Sequence, residues 1–155
     1  MTRWHLAQAN IARMRGALDS PIMAGFVRQL AHINSVADAS PGFVWRLQTE
    51  DGDATAIRAF DDERILFNMS VWESVEALHQ YVYRSDHVGP LRDRSKWFER
   101  MEGPTSVLWW ITAGHRPTVQ EAKARLEQLA RKGSTASAFT FANPFAEPSI
   151  ASRHA

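Results

Sequence analysis

Apolar and polar positions alternate without a break from Trp4 to Ile11, the period of a β-strand. Trp4, Leu6, Gln8 and Asn10 fall on one face, and His5, Ala7, Ala9 and Ile11 on the other. Asp19-Ser20-Pro21 then reads as a helix start, with Ser20 as N-cap and Pro21 in the first helical position. Met23, Phe26, Val27, Leu30, Ile33 and Ala37 recur at helical spacing. Ser40-Pro41-Gly42 stops that helix, because proline drives the residue before it out of the α region. Phe43 to Gln48 is a short strand. Thr49 to Arg64 has no period and carries six acids against two arginines, so it reads as a loop. Its length means that it either folds over something or is mobile.

A second alternating run, Ile65 to Trp72, puts Ile65, Phe67, Met69 and Val71 on one face and Leu66, Asn68, Ser70 and Trp72 on the other. Ser74 opens a helix containing Val75, Leu78 and Val82 and ending near Ser85. After Gly89-Pro90, a second short helix is expected to present Leu91, Phe98 and Met101 inward. Thr105 to Ala113 is the fourth strand. Beyond Gly114-His115-Arg116-Pro117, Thr118 and Glu121 form a capping box that opens a last helix. Val119, Ala122, Leu126 and Leu129 are its apolar stripe, and Gly133 its C-cap. Residues 1–141 form the domain, and 142–155 a Ser/Ala/Pro-rich tail. Phe139, Phe141 and Phe145 suggest that the chain near this boundary docks.

Without the extra helices the order is βαββαβ, the ferredoxin-like split arrangement of an α+β protein with a four-stranded antiparallel sheet and an added C-terminal helix. The apolar faces of strands one and three are expected under the helices, with the small Ala7 and Ala9 allowing close approach. The opposite face then carries Trp4, Gln8, Asn10, Asn68, Ser70, Trp72 and Trp110. So much tryptophan does not sit in water, and the simplest cover is a second copy of the sheet in a two-fold dimer.

Composition narrows the classes. A chain of 155 residues is enough for one domain with its own core. Zero cysteines exclude a disulfide framework, a thiolate nucleophile and a thiolate-ligated metal. Eighteen Lys and Arg against seventeen Asp and Glu give a net charge of +1, which is no footprint for nucleic acid. No apolar run approaches the roughly 20 residues of a membrane span, and no signal-type apolar segment opens the sequence, so a soluble cytoplasmic protein is expected. Six tryptophans are the outlying number. Indole N–H groups need partners, and a small Trp-rich protein often holds a pocket.

His5-Leu-Ala-Gln8, Phe43-Val-Trp-Arg-Leu47, Asn68-Met-Ser-Val-Trp-Glu-Ser74, Tyr83-Arg-Ser-Asp-His87, Trp97-Phe98 and Leu108-Trp-Trp110 with Gly114-His-Arg-Pro117 together resemble an uncharacterised bacterial family. That family carries only a domain-of-unknown-function label, within the dimeric α+β barrel superfamily of antibiotic-biosynthesis-monooxygenase type. The resemblance covers about residues 4–141. It implies a homodimer whose two sheets make a barrel, and a small organic ligand held between sheet and helices. The activities it implies are cofactor-independent oxygenation, isomerisation or cyclisation of an aromatic or polyketide-like substrate. In haem-binding branches they are peroxidase or dehydratase chemistry. A ligand-binding module without turnover is the remaining alternative.

On this resemblance His87 is the expected catalytic acid/base, or the axial ligand should haem be bound; the plain reading is a loop histidine bonded to backbone at a helix end. Gln8, Asn10, Asn68 and Ser70 either orient a ligand carbonyl or hydroxyl, or satisfy one another across strands. Trp4, Trp72 and Trp110 either wall a pocket for a flat substrate or pack as core, and Tyr83 and Trp97 join the expected substrate-binding set. Arg84, Arg92, Arg94, Lys96 and Arg100 form a basic cluster, either a solvated face or, through Arg94, a contact to an anionic substrate. His5 is expected as a buried structural histidine and His115 as a structural turn residue. The acids of 50–63 match no metal-binding loop.

Overall fold

A computed structural model of the protein describes residues 3–49, 52–55, 57–83 and 94–148. The first alternating run is strand β1, Trp4–Met14, three residues longer than its pattern predicts. Pro21 starts a 3-10 turn, Pro21–Met23, and the α-helix α1 begins only at Ala24 and runs to Asp38. Strand β2 is Phe43–Arg46, β3 is Ile65–Trp72, and helix α2 is Val75–Val82. Ser74 caps α2 by accepting the Ala77 amide at 3.1 Å. Residues 94–97 are helical. The helix expected to carry Phe98 stops short of it: Phe98–Glu99 is a two-residue strand, β4, in which Phe98 pairs with Met14. Pairing with the extended end of β1 satisfies backbone groups that a longer helix would have left facing that strand. Strand β5 is Ser106–Thr112, and helix α3 is Val119–Lys132.

The sheet is antiparallel, in the order β2-β3-β1, with β5 and β4 both along the other side of β1. Register is unbroken between β1 and β3: Leu6 faces Trp72, Gln8 faces Ser70, Asn10 faces Asn68 and Ala12 faces Leu66. This is the ferredoxin-like α+β arrangement expected, with a helix added.

The expectation that the helices lie on the alanine face holds for α3 and not for the other two. Helices α1 and α2 do not lie on the alanine face. They lie on the face of Leu6, Trp72 and Leu108, where Ala37, Leu78 and Phe139 complete a buried cluster. The alanine face is covered instead by α3, whose Ala122, Leu126 and Leu129 pack against Ala7, Ala9, Phe67, Met69, Val71, Val107, Trp109 and Ile111. The long loop closes the same side through Ile57, Ala59 and Phe60, with Lys123 Nζ donating to the Ala59 carbonyl at 2.6 Å. Parity separates two faces but does not say which helix takes which, since either face offers enough apolar area.

Both faces are therefore covered within one chain. Trp72 and Trp109, on opposite faces, are each fully buried. The physical argument that required a second sheet for cover thus falls away.

The segment after α3 docks, as its phenylalanines predict. Leu108 and Phe139 exchange backbone hydrogen bonds of 2.8 and 2.9 Å, which closes part of the β5 edge. Trp110 Nε1 donates to the Phe145 carbonyl at 2.9 Å, so the described part of the tail lies against the domain. No helix among the described residues is long and apolar enough to cross a membrane.

Candidate functional site

Helix α1 has an apolar stripe that its own sheet does not bury. Phe26, Leu30 and Ile33 are only half-buried, and in the helix itself Ala37 alone is fully packed. The stripe faces a cavity of about 460 Å³ between α1, α2 and the sheet. That is the size and position of a small-molecule pocket. Its floor comes from alternate residues of the two central strands: Gln8, Asn10 and Ala12 from β1, and Trp72, Ser70, Asn68 and Leu66 from β3.

Four neutral polar side chains and one indole form a continuous chain on that floor. Trp72 Nε1 donates to Ser70 Oγ at 2.9 Å, and Ser70 Oγ donates to Gln8 Oε1 at 2.8 Å. Gln8 Nε2 donates to Asn10 Oδ1 at 2.7 Å, and Asn68 Nδ2 donates to the same oxygen at 3.1 Å. The two sequence readings of these residues are thus both realised, since they satisfy one another and also line the cavity.

Aromatic rings stand at both ends of the row. Trp72 stacks on Tyr81 at 5.1 Å between centroids, with Phe43 edge-on at 5.4 Å. At the far end Trp97 and Phe98 meet Phe26 at 5.9 and 5.2 Å. Gly25 in α1 lies close over Trp97: a Cβ there would come within 3.1 Å of the indole nitrogen.

Of the expected site residues, Gln8, Asn10, Asn68, Ser70, Trp72, Tyr83, Arg94 and Trp97 all line this one cavity. Trp4 and Trp110 do not. Trp4 pairs with Thr112 at the far end of β1, and Trp110 is committed to Phe145. His87 lies outside the described residues, as do Arg84 and Arg92. Arg94, Lys96 and Arg100 are exposed, the solvated face expected, and Arg94 also borders the cavity.

Sequence reasoning passed over Arg46, Tyr81 and Ser106, which also line the cavity. Arg46 is held by Asp38, Nε to Oδ1 at 2.7 Å and Nη2 to Oδ2 at 3.3 Å, while Nη1 donates to the Gly52 carbonyl at 2.7 Å. The pair ties β2, the end of α1 and the long loop together. Tyr81 lies one turn beyond Leu78 on the same helical face, a signal present in the sequence but indistinguishable there from core packing.

The described lining holds two arginines and no aspartate, glutamate, histidine, cysteine or methionine. Among the described residues no group of three or more His, Cys, Asp or Glu is placed to hold a metal ion. Of the side chains that ligate haem iron, the described lining offers only Tyr81 and Tyr83, and His87, the expected axial ligand, lies outside the described residues. The loop acids serve turns instead: Asp53 accepts from Thr55 and Asp62 from the Arg64 amide.

Outside the cavity, His115 and Trp109 both bond the Glu121 carboxylate at 2.8 Å, through Nε2 and Nε1 respectively. His115 is structural, as expected. His5 is less settled, for both its ring nitrogens are buried without a hydrogen-bond partner among the described residues.

Fold and site together define a ferredoxin-like α+β protein with a ligand-sized, amide-floored cavity between sheet and helices. The chain belongs to the family described as "Domain of unknown function (DUF3291)", whose pattern matches residues 5–155. No curated protein matches it. Among solved structures it is similar to a variant of SnoaB, a cofactor-independent oxygenase from Streptomyces nogalater. The identity is 17% and the TM-score 0.48, over 72% of this chain and 95% of that one. It is also similar to a dabb family protein with a ferredoxin-like fold from Mesorhizobium loti, at 19% identity and TM-score 0.44, over 75% of this chain and 99% of the other.

Proposed function

We propose that the protein is a small-molecule enzyme that binds a flat, conjugated aromatic or polyketide-like substrate in this cavity. Its reaction is cofactor-independent oxygenation, or isomerisation or cyclisation, begun by removal of a proton from the substrate. The observation that carries this reading is the row of neutral amide and hydroxyl groups between two aromatic walls, with no carboxylate in the described lining. Fixed N–H donors stabilise an enolate or phenolate oxygen as charge develops, and neutral groups do so without titrating. The half-buried Phe26, Tyr81 and Phe98 supply the walls, backed by the buried Trp72 and Trp97, while Tyr83 and Arg94 border the cavity.

His87 has the acid/base role in this reading. In the sequence it stands between Tyr83 and Arg94, both of which line the cavity.

The test is titration of the full chain with a panel of hydroxylated polycyclic aromatics and polyketide-like ketones. Tryptophan emission reports binding, and oxygen uptake with product mass reports turnover. Saturable quenching with turnover is expected, with His87→Ala lowering kcat by about 10²-fold or more. Binding without turnover would leave a ligand-binding module. No binding by any member of the panel would overturn the reading altogether.

A further inference from the structure

The floor of the cavity has a direction, and that direction specifies what a ligand must present. An indole nitrogen only donates, so Ser70 Oγ must accept from Trp72. The single Ser70 proton is then free to go to Gln8 Oε1, which leaves Gln8 Nε2 aimed at Asn10. Asn10 Oδ1 takes this bond and a second from Asn68 Nδ2. The reverse order, with the Gln8 amide nitrogen toward Ser70, would leave a hydroxyl proton without an acceptor on a residue only 7% exposed. The amide orientations therefore follow from Trp72 rather than from choice.

Two groups carry no bond: Asn10 Nδ2 and Asn68 Oδ1 have no partner among the described residues, while Gln8 Nε2 and Asn68 Nδ2 each keep a second N–H. Asn10 and Asn68 are directly opposed in the β1–β3 register, and both border the cavity. The floor thus offers amide N–H donors beside one unpartnered amide acceptor, Asn68 Oδ1.

We infer that the substrate carries the complementary pair on one edge: a hydrogen-bond acceptor adjacent to a donor, as in a lactam, a carboxamide or the enol form of a dicarbonyl. This rests on the proposed function, since it names the substrate class of the same cavity. Trp72 and Ser70 act through Gln8 and are positioning residues, and Asn10 and Asn68 make the contact. A simple aryl ketone, or a phenol with no neighbouring acceptor, satisfies one of the two groups and leaves the other to water.

The bicyclic lactam carbostyril is a flat probe with this edge. Its N-methyl derivative keeps the acceptor and loses the donor, and an isomer methylated on a ring carbon controls for bulk. Dissociation constants for the three are measured by tryptophan quenching and by nitrogen–proton correlation spectra of the Asn side-chain amides. The two N–H lactams are expected to bind about tenfold more tightly than the N-methyl compound, the order of one net hydrogen bond.

In Ser70→Ala, and separately in Trp72→Phe, that preference is expected to fall to less than about threefold while binding of the N-methyl compound persists. Merely weakened folding would lower all three affinities together and leave their ratio unchanged. Equal binding of all three by the unaltered protein would overturn the inference and leave the cavity reading intact. A preference undiminished in both variants would overturn the part assigned to Trp72. Binding of none of the three would overturn the inference, while the cavity reading answers to the broader panel.

Discussion

Glu121 joins three elements through one carboxylate. Thr118 accepts the Glu121 amide at 3.1 Å as the N-cap of α3, the half of the capping box that the sequence pattern announces. Burial pushes the Glu121 carboxyl up. The hydrogen bonds from His115 and Trp109, the His115 charge and the Thr118 amide together outweigh it and hold the group below the usual glutamate range. A lowered carboxyl favours the folded state above its unfolded value, and that contribution is lost as pH falls through the folded value. Glu121→Gln is therefore expected to lower the urea midpoint most near neutrality, with the difference from the unaltered protein shrinking as pH falls below 4.5. A pH-independent difference would show that the carboxylate charge is irrelevant. Thr118 and Glu121 were legible at three-residue spacing. The bond to Trp109, twelve residues back, was not, because no local pattern says which helix end reaches which strand.

At the scale of elements, α3 closes the core. Its stripe of Ala122, Leu126 and Leu129 covers the alanine face, where small side chains let the helix approach. Leu126→Ala leaves a cavity against rigid strands and is expected to cost about 3 kcal/mol, read as a lower urea midpoint at unchanged slope. A cost within about 0.5 kcal/mol, as for a surface position, would show that α3 is only loosely docked. The turn into β2 is fixed by Gly42, at φ 82°, where a Cβ would come within 2.5 Å of the Ala77 Cβ in α2. Strand β3 was readable to the residue, because a half-buried strand must alternate. Strand β4 was not, since two residues are too few to show a period and their pairing was decided by Met14 across the sheet.

At the scale of the whole molecule, three layers form: α1 and α2, the sheet, and α3. The cavity is where the first two layers fail to meet, and so Phe26, Leu30 and Ile33 keep part of their apolar surface uncovered. A ligand that fills this space binds only the folded chain and stabilises it by mass action. At about a hundred times its Kd the gain is about 2.7 kcal/mol. For a chain of this size that is a rise in Tm of roughly 5–10 °C. A tight ligand that leaves Tm unchanged would have to bind the unfolded chain equally well, and would overturn binding in a folded cavity.

The alternation of β1 and β3 by itself determined two strands, their two faces and the grouping of Gln8 and Asn10 with one parity and of Asn68, Ser70 and Trp72 with another. Capping residues determined where α2 and α3 begin, because those effects act within a few residues, whereas Ser20 and Pro21 opened only a 3-10 turn before α1. Only the tertiary structure decided which face each helix covers, and thereby that the amide row floors a cavity. It also decided that Trp72 belongs to that row while Trp4 and Trp110 do not. Those outcomes depend on register between strands and on the packing of helices far apart in sequence, where competing arrangements bury similar apolar area and the sequence pattern is the same for each.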